Sequence, residues 1–337
     1  MGGGIAGEPV SGGILTASVA LCTYNGGSYI TEQVLSILDQ VRKPLEIILS
    51  DDGSRDNTIE LAFKALRSRP LVDVPLKVID GSHAGVTGNF ARAMGAASGD
   101  LVVLCDQDDI WHTDRLQTAI PSFERRPELL LQHSDARIVD ESGLPCGAGL
   151  FRALSVTAEE RKAINDGHAF DVYIRRNLAT GATVIVRQSL LSAALPFPGE
   201  WIHDEWLALI AASVGEVEIL ENELIDYRQH DLNVIGVEEP TLLRRARKLF
   251  VSRGDRYERL AARSRILHAR LIALGSVNPE IVQSAAGKAR FEAERARYPR
   301  SRAMRIAPVF REFLAGSYGT YSSQRSLDVL RDVVQPA

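Results

Sequence analysis

Three cysteines in 337 residues are too few, and odd in number, for a disulfide framework or a zinc cage. Cys22 and Cys105 close apolar runs, so reduced core thiols are expected. Nowhere does the chain approach the roughly 20 consecutive apolar residues that cross a bilayer. The opening MGGGIAGEPVSGG has neither a basic flank nor an apolar run, so residues 1–16 read as a flexible leader rather than a signal peptide, and a cytoplasmic location is expected. No Gly-rich loop ends in Lys followed by Ser or Thr, which removes the phosphate cradle of a P-loop. Asn25-Gly26-Gly27, after the first apolar run, lacks the spaced glycines of a nicotinamide-binding fold. Repeats and low-complexity tracts are also missing.

A surplus of positive charge is absent as well, and the net charge of −4 conceals a division. Residues 241–305 carry seventeen Lys/Arg against five Asp/Glu, residues 306–337 balance, and residues 1–240 are left at −16. An acidic body repels polyanions, which argues against nucleic acid as a partner.

What the sequence does contain is an alternation. Short β-rich runs at 17–22, 45–50, 76–80 and 101–105 are separated by helical patterns at 29–40, 58–67 and 87–97. That order predicts parallel βαβ units, with ligands at the carboxyl ends of the strands. Every conspicuous polar cluster falls there: Thr23-Tyr24-Asn25-Gly26, Asp51-Asp52-Gly53-Ser54, a segment carrying Asn89 and Arg92, and Asp106-Gln107-Asp108-Asp109. Acids crowded at the mouth of a buried strand need a counter-charge, and a divalent cation carried by a diphosphate supplies one. Asp51 to Ser54 also suit a plain turn, although Asp52 at a strand end can accept from a nucleobase or ribose. Trp111 is expected as packing.

Further on, Asn177 to Val186 reads as a loop entering a strand, where Gly181 lets a substrate approach the backbone. A helix is predicted from near Ile202, with Asp204 and Glu205 in its first turn. Acids are common there as dipole partners, but Tyr227-Arg228-Gln229-His230 follows a strand-like run and supplies cationic and imidazole groups suited to a departing diphosphate.

The ordered set Thr23-Tyr24-Asn25-Gly26, Asp51-Asp52-Gly53-Ser54, Asp106-Gln107-Asp108-Asp109-Ile110-Trp111, His203-Asp204-x-Trp206 and Tyr227-Arg228-Gln229-His230 resembles glycosyltransferase family 2, and most of all its bacterial rhamnosyltransferase-like branch. The resemblance runs from about Ser18 to Gly236. It implies an α/β GT-A domain at 17–238 with a mixed, mostly parallel sheet, and a basic helical C-terminal region at 239–337. It also implies inverting transfer from a nucleotide-diphosphate sugar, with dTDP-L-rhamnose as donor, Mg2+ or Mn2+ as cofactor, and a saccharide or lipid-linked acceptor of cell-surface polysaccharide assembly. By that resemblance Asp108 ligates the metal with His230, and Thr23, Tyr24, Asn25, Asp52, Asn89, Arg92, Asp106, Gln107 and Arg228 hold the donor. Asp204 is then the catalytic base, while Gly181, His203, Glu205 and Trp206 line the acceptor or sugar pocket. His203 stands where many members carry an acid, which makes Glu205 a competing base.

Displacement at an anomeric carbon agrees with that division, since one face needs a base and the other needs the leaving diphosphate neutralised. Two alternatives stand beside it. A sugar-nucleotide nucleotidyltransferase would want a cation-bearing Gly-rich loop after the first strand, and a non-catalytic binding module would not need Asp204. The basic stretch at 241–274 suits either an anionic membrane surface or the acidic body of the same chain.

Overall fold

The computed structural model describes residues 14–81, 83–230 and 253–336. The first thirteen residues of the leader, Asp231, the boundary expected at 238 and residues 241–252 of the basic stretch lie outside them. Strands β1 (Ala17–Thr23), β2 (Glu46–Asp51), β3 (Leu76–Asp80) and β4 (Leu101–Cys105) alternate with helices α1 (Ile30–Leu38), α2 (Thr58–Arg67) and α3 (Gly85–Ala96). After them come β5 (Ile110–Trp111), α4 (Arg115–Arg125), β6 (Leu129–Val139), β7 (Ile185–Arg187), α5 (His203–Val214) and β8 (Glu216–Arg228). Short helical turns fill 150–194.

The strands form one sheet in the order β3-β2-β1-β4-β7-β6-β8-β5. Pairing is parallel from β3 through β4 and between β6 and β8, and antiparallel at β7 and β5. The mixed, mostly parallel sheet expected from the sequence is present. Its first strands are apolar throughout because both faces are covered. Ala20, Ile48, Val102 and Leu104 face Phe90 of α3 and the apolar side of α5. Their alternate neighbours Val19, Leu21, Ile47 and Val103 face Ile30, Val34 and Ile37 of α1 and Leu116 and Ile120 of α4. Cys22, Cys105 and Cys146 are free thiols, the first two buried.

Strand β6 escapes the periodicity reading, since Gln132, His133, Ser134 and Asp135 interrupt its apolar run. Most of those polar groups find partners inside the fold: Gln132 Nε2 donates to Ala119 O and Glu218, and His133 Nε2 lies 2.6 Å from the Tyr173 hydroxyl, although His133 Nδ1 has none. The pairing of β6 with β8 runs out to Val139 and Arg228, while Ile110 of β5 pairs with Asp226. Together these pairings carry the end of β8 to the acidic loop after β4.

The C-terminal region is helical: α6 (Arg256–Leu274), α7 (Pro279–Ala296), α8 (Arg302–Leu314), α9 (Ser317–Tyr321) and α10 (Ser326–Val334). Leu267 and Leu271 of α6 join the core beneath α5. Arg263 stacks 4.0 Å over Trp201, whose indole donates to Arg263 O. Arg270 donates to Ala193 O, Leu195 O and Pro196 O. Residues 256–274 therefore dock on the body of the same chain. Among the described residues no helix is long and apolar enough to cross a membrane.

Candidate active site

Three strand ends are laced together by side chains. Thr23 Oγ1 donates to Asp51 Oδ1 at 2.7 Å, and Ser54 N and Oγ close on the same carboxylate at 2.8 and 2.6 Å, so Asp51 is the structural member of its pair. Asp52 faces the opening and accepts from His83 N at 2.6 Å and Gly85 N at 3.2 Å. Asn25, held at φ +50°, donates through its backbone to Ser54 Oγ and accepts from Arg55 N at 2.9 Å. The Tyr24 ring is 58% exposed at the mouth.

Two residues expected at the donor turn out to be scaffold. The Gln107 amide bridges Tyr24, accepting from its N–H at 2.8 Å and donating to its carbonyl at 3.1 Å. A Cβ at Gly26 would sit 2.2 Å from Gln107 Oε1, which is why glycine occupies that turn. Asn89 is buried and donates to Ser50 O at 2.9 Å and Thr23 O at 3.4 Å, tying β1 to β2, while its Oδ1 is left without a hydrogen-bond partner. Arg92 is exposed and donates to Asp80 O at 3.1 and 3.3 Å.

The acids after β4 are crowded and poorly compensated. Burial, then the neighbouring Asp108 and Asp204 carboxylates, push the Asp106 carboxyl up to about 7. Asp109 is also driven well above the carboxylate range by burial and by Asp108 and Asp106, although its Oδ1 accepts from Arg228 N at 3.1 Å. Its Oδ2 is buried with no hydrogen-bond partner. Below them lies a cation that sequence reasoning missed. Arg115, at the first position of α4, is 1% exposed, stacks 4.0 Å over Trp111 and donates to Ala182 O at 2.8 Å. Burial lowers its guanidinium to about 10 against the pull of Cys105, Asp109 and Asp106.

Asp108 meets His230, with Nε2 to Oδ2 at 2.8 Å and the imidazole stacked 4.8 Å from the Tyr29 ring. Arg228 does not face an open pocket. Its guanidinium donates to Asp108 O at 2.9 Å, Glu141 O at 2.7 Å and Glu32 Oε2 at 2.6 Å, so it fixes the acidic loop.

Asp204 reaches the same cluster through a chain of backbone bonds. Leu104 N donates to Val184 O, Val184 N to Gly181 O, and Gly181 N to Asp204 Oδ2, each at 3.0–3.1 Å. Asn177 Nδ2, at 3.3 Å, and Glu205 N, at 2.5 Å, donate to Oδ1. Burial and then the Glu205 charge, working against the Glu205 and Gly181 amides, push Asp204 up to about 6, a value suited to a base working near neutrality. Asn177 is a second residue whose place the sequence reading did not assign. His203 is buried and stacked 4.2 Å from Phe90, and desolvation lowers it to about 3, so it is neutral. A Cβ on Gly181 would lie 2.9 Å from His203 Nε2, so the turn needs glycine.

The remaining pocket assignments need correction. Trp206 is fully buried and its indole donates to Ala194 O at 2.8 Å, so it belongs to the core. The Glu205 carboxylate pairs with Arg263 of α6, which makes it an anchor for the C-terminal helices.

Among the described residues no group of three His, Cys, Asp or Glu side chains is arranged to hold a metal. A hard cation that takes one or two protein ligands and fills its shell from diphosphate and water fits what is present. Asp106 and Asp108 are both partly exposed, and Asp109 Oδ2 is an orphaned buried acceptor in a cluster with excess negative charge.

Residues 18–145 match the model of glycosyl transferase family 2. That match takes in the strands from β1 to β6. A glycosyltransferase of Nostoc sp. is 25% identical over 221 residues, 64% of this chain and 65% of that one. The dTDP-rhamnosyl transferase RfbG of Shigella flexneri is 34% identical over 103 residues, 30% of this chain and 35% of that one. The chain spans about 58–65% of the length of the curated relatives it matches over the longest stretches. In fold it is similar to residues 1–349 of Staphylococcus aureus TarS, solved with UDP-GlcNAc, at a TM-score of 0.57 and 18% identity over 95% of this chain and 90% of that one. The chain thus has the GT-A fold, followed by a helical C-terminal region.

Proposed function

We propose that this protein is an inverting glycosyltransferase in which Asp204 is the base for the acceptor hydroxyl and the loop after β4 holds the donor diphosphate. The observation that carries this reading is the joining of Asp204 to the end of β4 through Gly181 and Val184, beside acids that lack sufficient counter-charge. Asp204 is oriented by Asn177 and two backbone amides, and accepts the proton as the hydroxyl attacks the anomeric carbon from the face opposite the diphosphate. Asp108, with His230, would hold Mg2+ or Mn2+. Such an ion, when bound, supplies Lewis-acid neutralisation of the leaving diphosphate. Tyr24, Asn25 and Asp52 flank the opening where the nucleoside would lie, and Arg92 sits on the same rim.

L-rhamnose from dTDP-L-rhamnose is the proposed donor, supported by the segment shared with RfbG and by the rhamnosyltransferase-like order of motifs. A saccharide or lipid-linked acceptor of polysaccharide assembly is proposed with it, in the cytoplasm at the inner face of the membrane. Contact with that membrane through 241–274 has weaker support, because residues 256–274 are docked on the body. A panel of dTDP-, UDP- and GDP-sugars, assayed for donor hydrolysis and transfer with Mg2+, Mn2+ or EDTA, tests the reading. Turnover of a dTDP-6-deoxysugar that EDTA abolishes is expected. Turnover of UDP-sugars alone would overturn the donor, and full activity in EDTA would overturn the metal.

A further inference from the structure

Helix α8 buries Arg305, Val309 and Glu312 and turns its other face outward. On that face Ile306, Phe310, Phe313 and Leu314 recur at i, i+4, i+7 and i+8, exposed by 56, 56, 49 and 70%. Scattered single apolar residues are normal on a protein surface, but a row of large ones along one helix is an interaction surface. The rings of Phe310 and Phe313 lie 6.4 Å apart and nearly parallel, extending the row.

Its surroundings are cationic. Arg300 and Arg302 are exposed, as are Arg297 and Arg311 at 77 and 65%. Among the charges described next to them, Glu294 lies 3.6 Å from Arg297 and 3.4 Å from Arg311, and the second acid, Glu312, is buried on Ser317 and lies 3.8 Å from Arg311, which leaves Arg300 and Arg302 in excess over the two acids. The flank therefore keeps a positive surplus. We propose that this face of α8 docks on the anionic surface of a lipid bilayer, with the aromatic row inserted at the headgroup boundary and the arginines on the phosphates. A second copy of the chain meeting the same face across a twofold axis would bring arginines against arginines, which disfavours self-association there. The site lies on a different helix from the 241–274 stretch, and its test does not depend on sugar transfer.

Co-sedimentation of the full chain with vesicles of phosphatidylcholine alone, or with added phosphatidylglycerol, reads the interaction directly. Binding to the anionic vesicles, weakened by salt, is expected. Phe310→Glu with Phe313→Glu should lower that affinity at least about tenfold, while Leu71→Glu, at a site 98% exposed on the catalytic domain, should leave it unchanged. Arg302→Glu with Arg311→Glu keeps the apolar row and should also weaken binding to anionic vesicles, so the test does not hang on one variant; thermal melts confirm that each folds. No binding to anionic vesicles, or binding as tight as wild type by both double variants, overturns the proposal. So does a wild-type dimer in sedimentation velocity that the Phe310/Phe313 variant abolishes, since the face would then be a contact between copies.

Discussion

Buried acids occur in two places in this molecule, and the two are built differently. In the C-terminal helices Asp332 accepts from Arg295 Nε at 2.7 Å, from the Tyr257 hydroxyl at 2.5 Å and from the Tyr318 hydroxyl at 2.6 Å. Burial raises its carboxyl, but Arg295 and the two phenols outweigh that and hold it below the usual range. Glu292 is held low in the same way by Lys288 and Arg295. At the ends of β4 and α5 the balance is reversed: Asp106 and Asp204 rise to about 7 and about 6 because Arg115 and a few amides do not cancel burial and mutual repulsion. Compensated acids hold helices together. Uncompensated ones, set in a cleft where strands end, are poised to take a proton or a cation.

The contrast can be broken most sharply by stability. Asp332→Asn takes one of two carboxylate partners from the buried Arg295, leaving Glu292, and removes the charged acceptor of two buried phenols, so it should cost about 3–5 kcal/mol in denaturant unfolding. Asp204→Asn loses the bond from Gly181 N but relieves a buried charge, so its stability at pH 8 should stay within about 1 kcal/mol of wild type. Equal losses in both would erase the distinction. The pH dependence follows with opposite signs. Asp106 and Asp204 bind their protons more tightly folded than unfolded, so their contribution is complete below about pH 4 and is lost as pH rises through about 6 to 7. Asp332 and Glu292 contribute above the ordinary carboxylate range, and that contribution is lost as pH falls through their lowered values.

Catalysis should track the same groups. kcat/KM is expected to fall about tenfold per pH unit below about 6 and to level above it, as deprotonated Asp204 becomes limiting. A flat profile down to pH 5 would remove Asp204 from that role. The smallest effect belongs to Glu205→Gln, which breaks a partly exposed pair with Arg263; about 1 kcal/mol or less of stability and little loss of turnover are expected. A loss of turnover as large as that in Asp204→Asn would return Glu205 to contention as base.

Much of this could be read from the sequence, and what could not shares one cause. The strand ends, the Asp108 and His230 pair and the placing of Asp204 in the first turn of a helix follow from periodicity and from motif order. Which residues of a ligand-like cluster are free for a ligand does not. Gln107, Asn89 and Arg228 look like donor contacts in one dimension, yet their polar groups close on Tyr24, Ser50 and Asp108 once the loops meet. Arg115 reads as an ordinary helix-terminal arginine until the turn at 181–183 places Ala182 O over it. Trp206 lies in a matching motif, but helical geometry turns it into the core.

The most direct test compares two quantities in Asp204→Asn: turnover with the preferred sugar nucleotide, and calorimetric affinity for its nucleoside diphosphate. Turnover should drop by about 10²–10⁴ while affinity stays within about threefold of wild type. Near-normal turnover, or loss of nucleotide binding in step with activity, would contradict a site divided between a base on α5 and a diphosphate held at the end of β4.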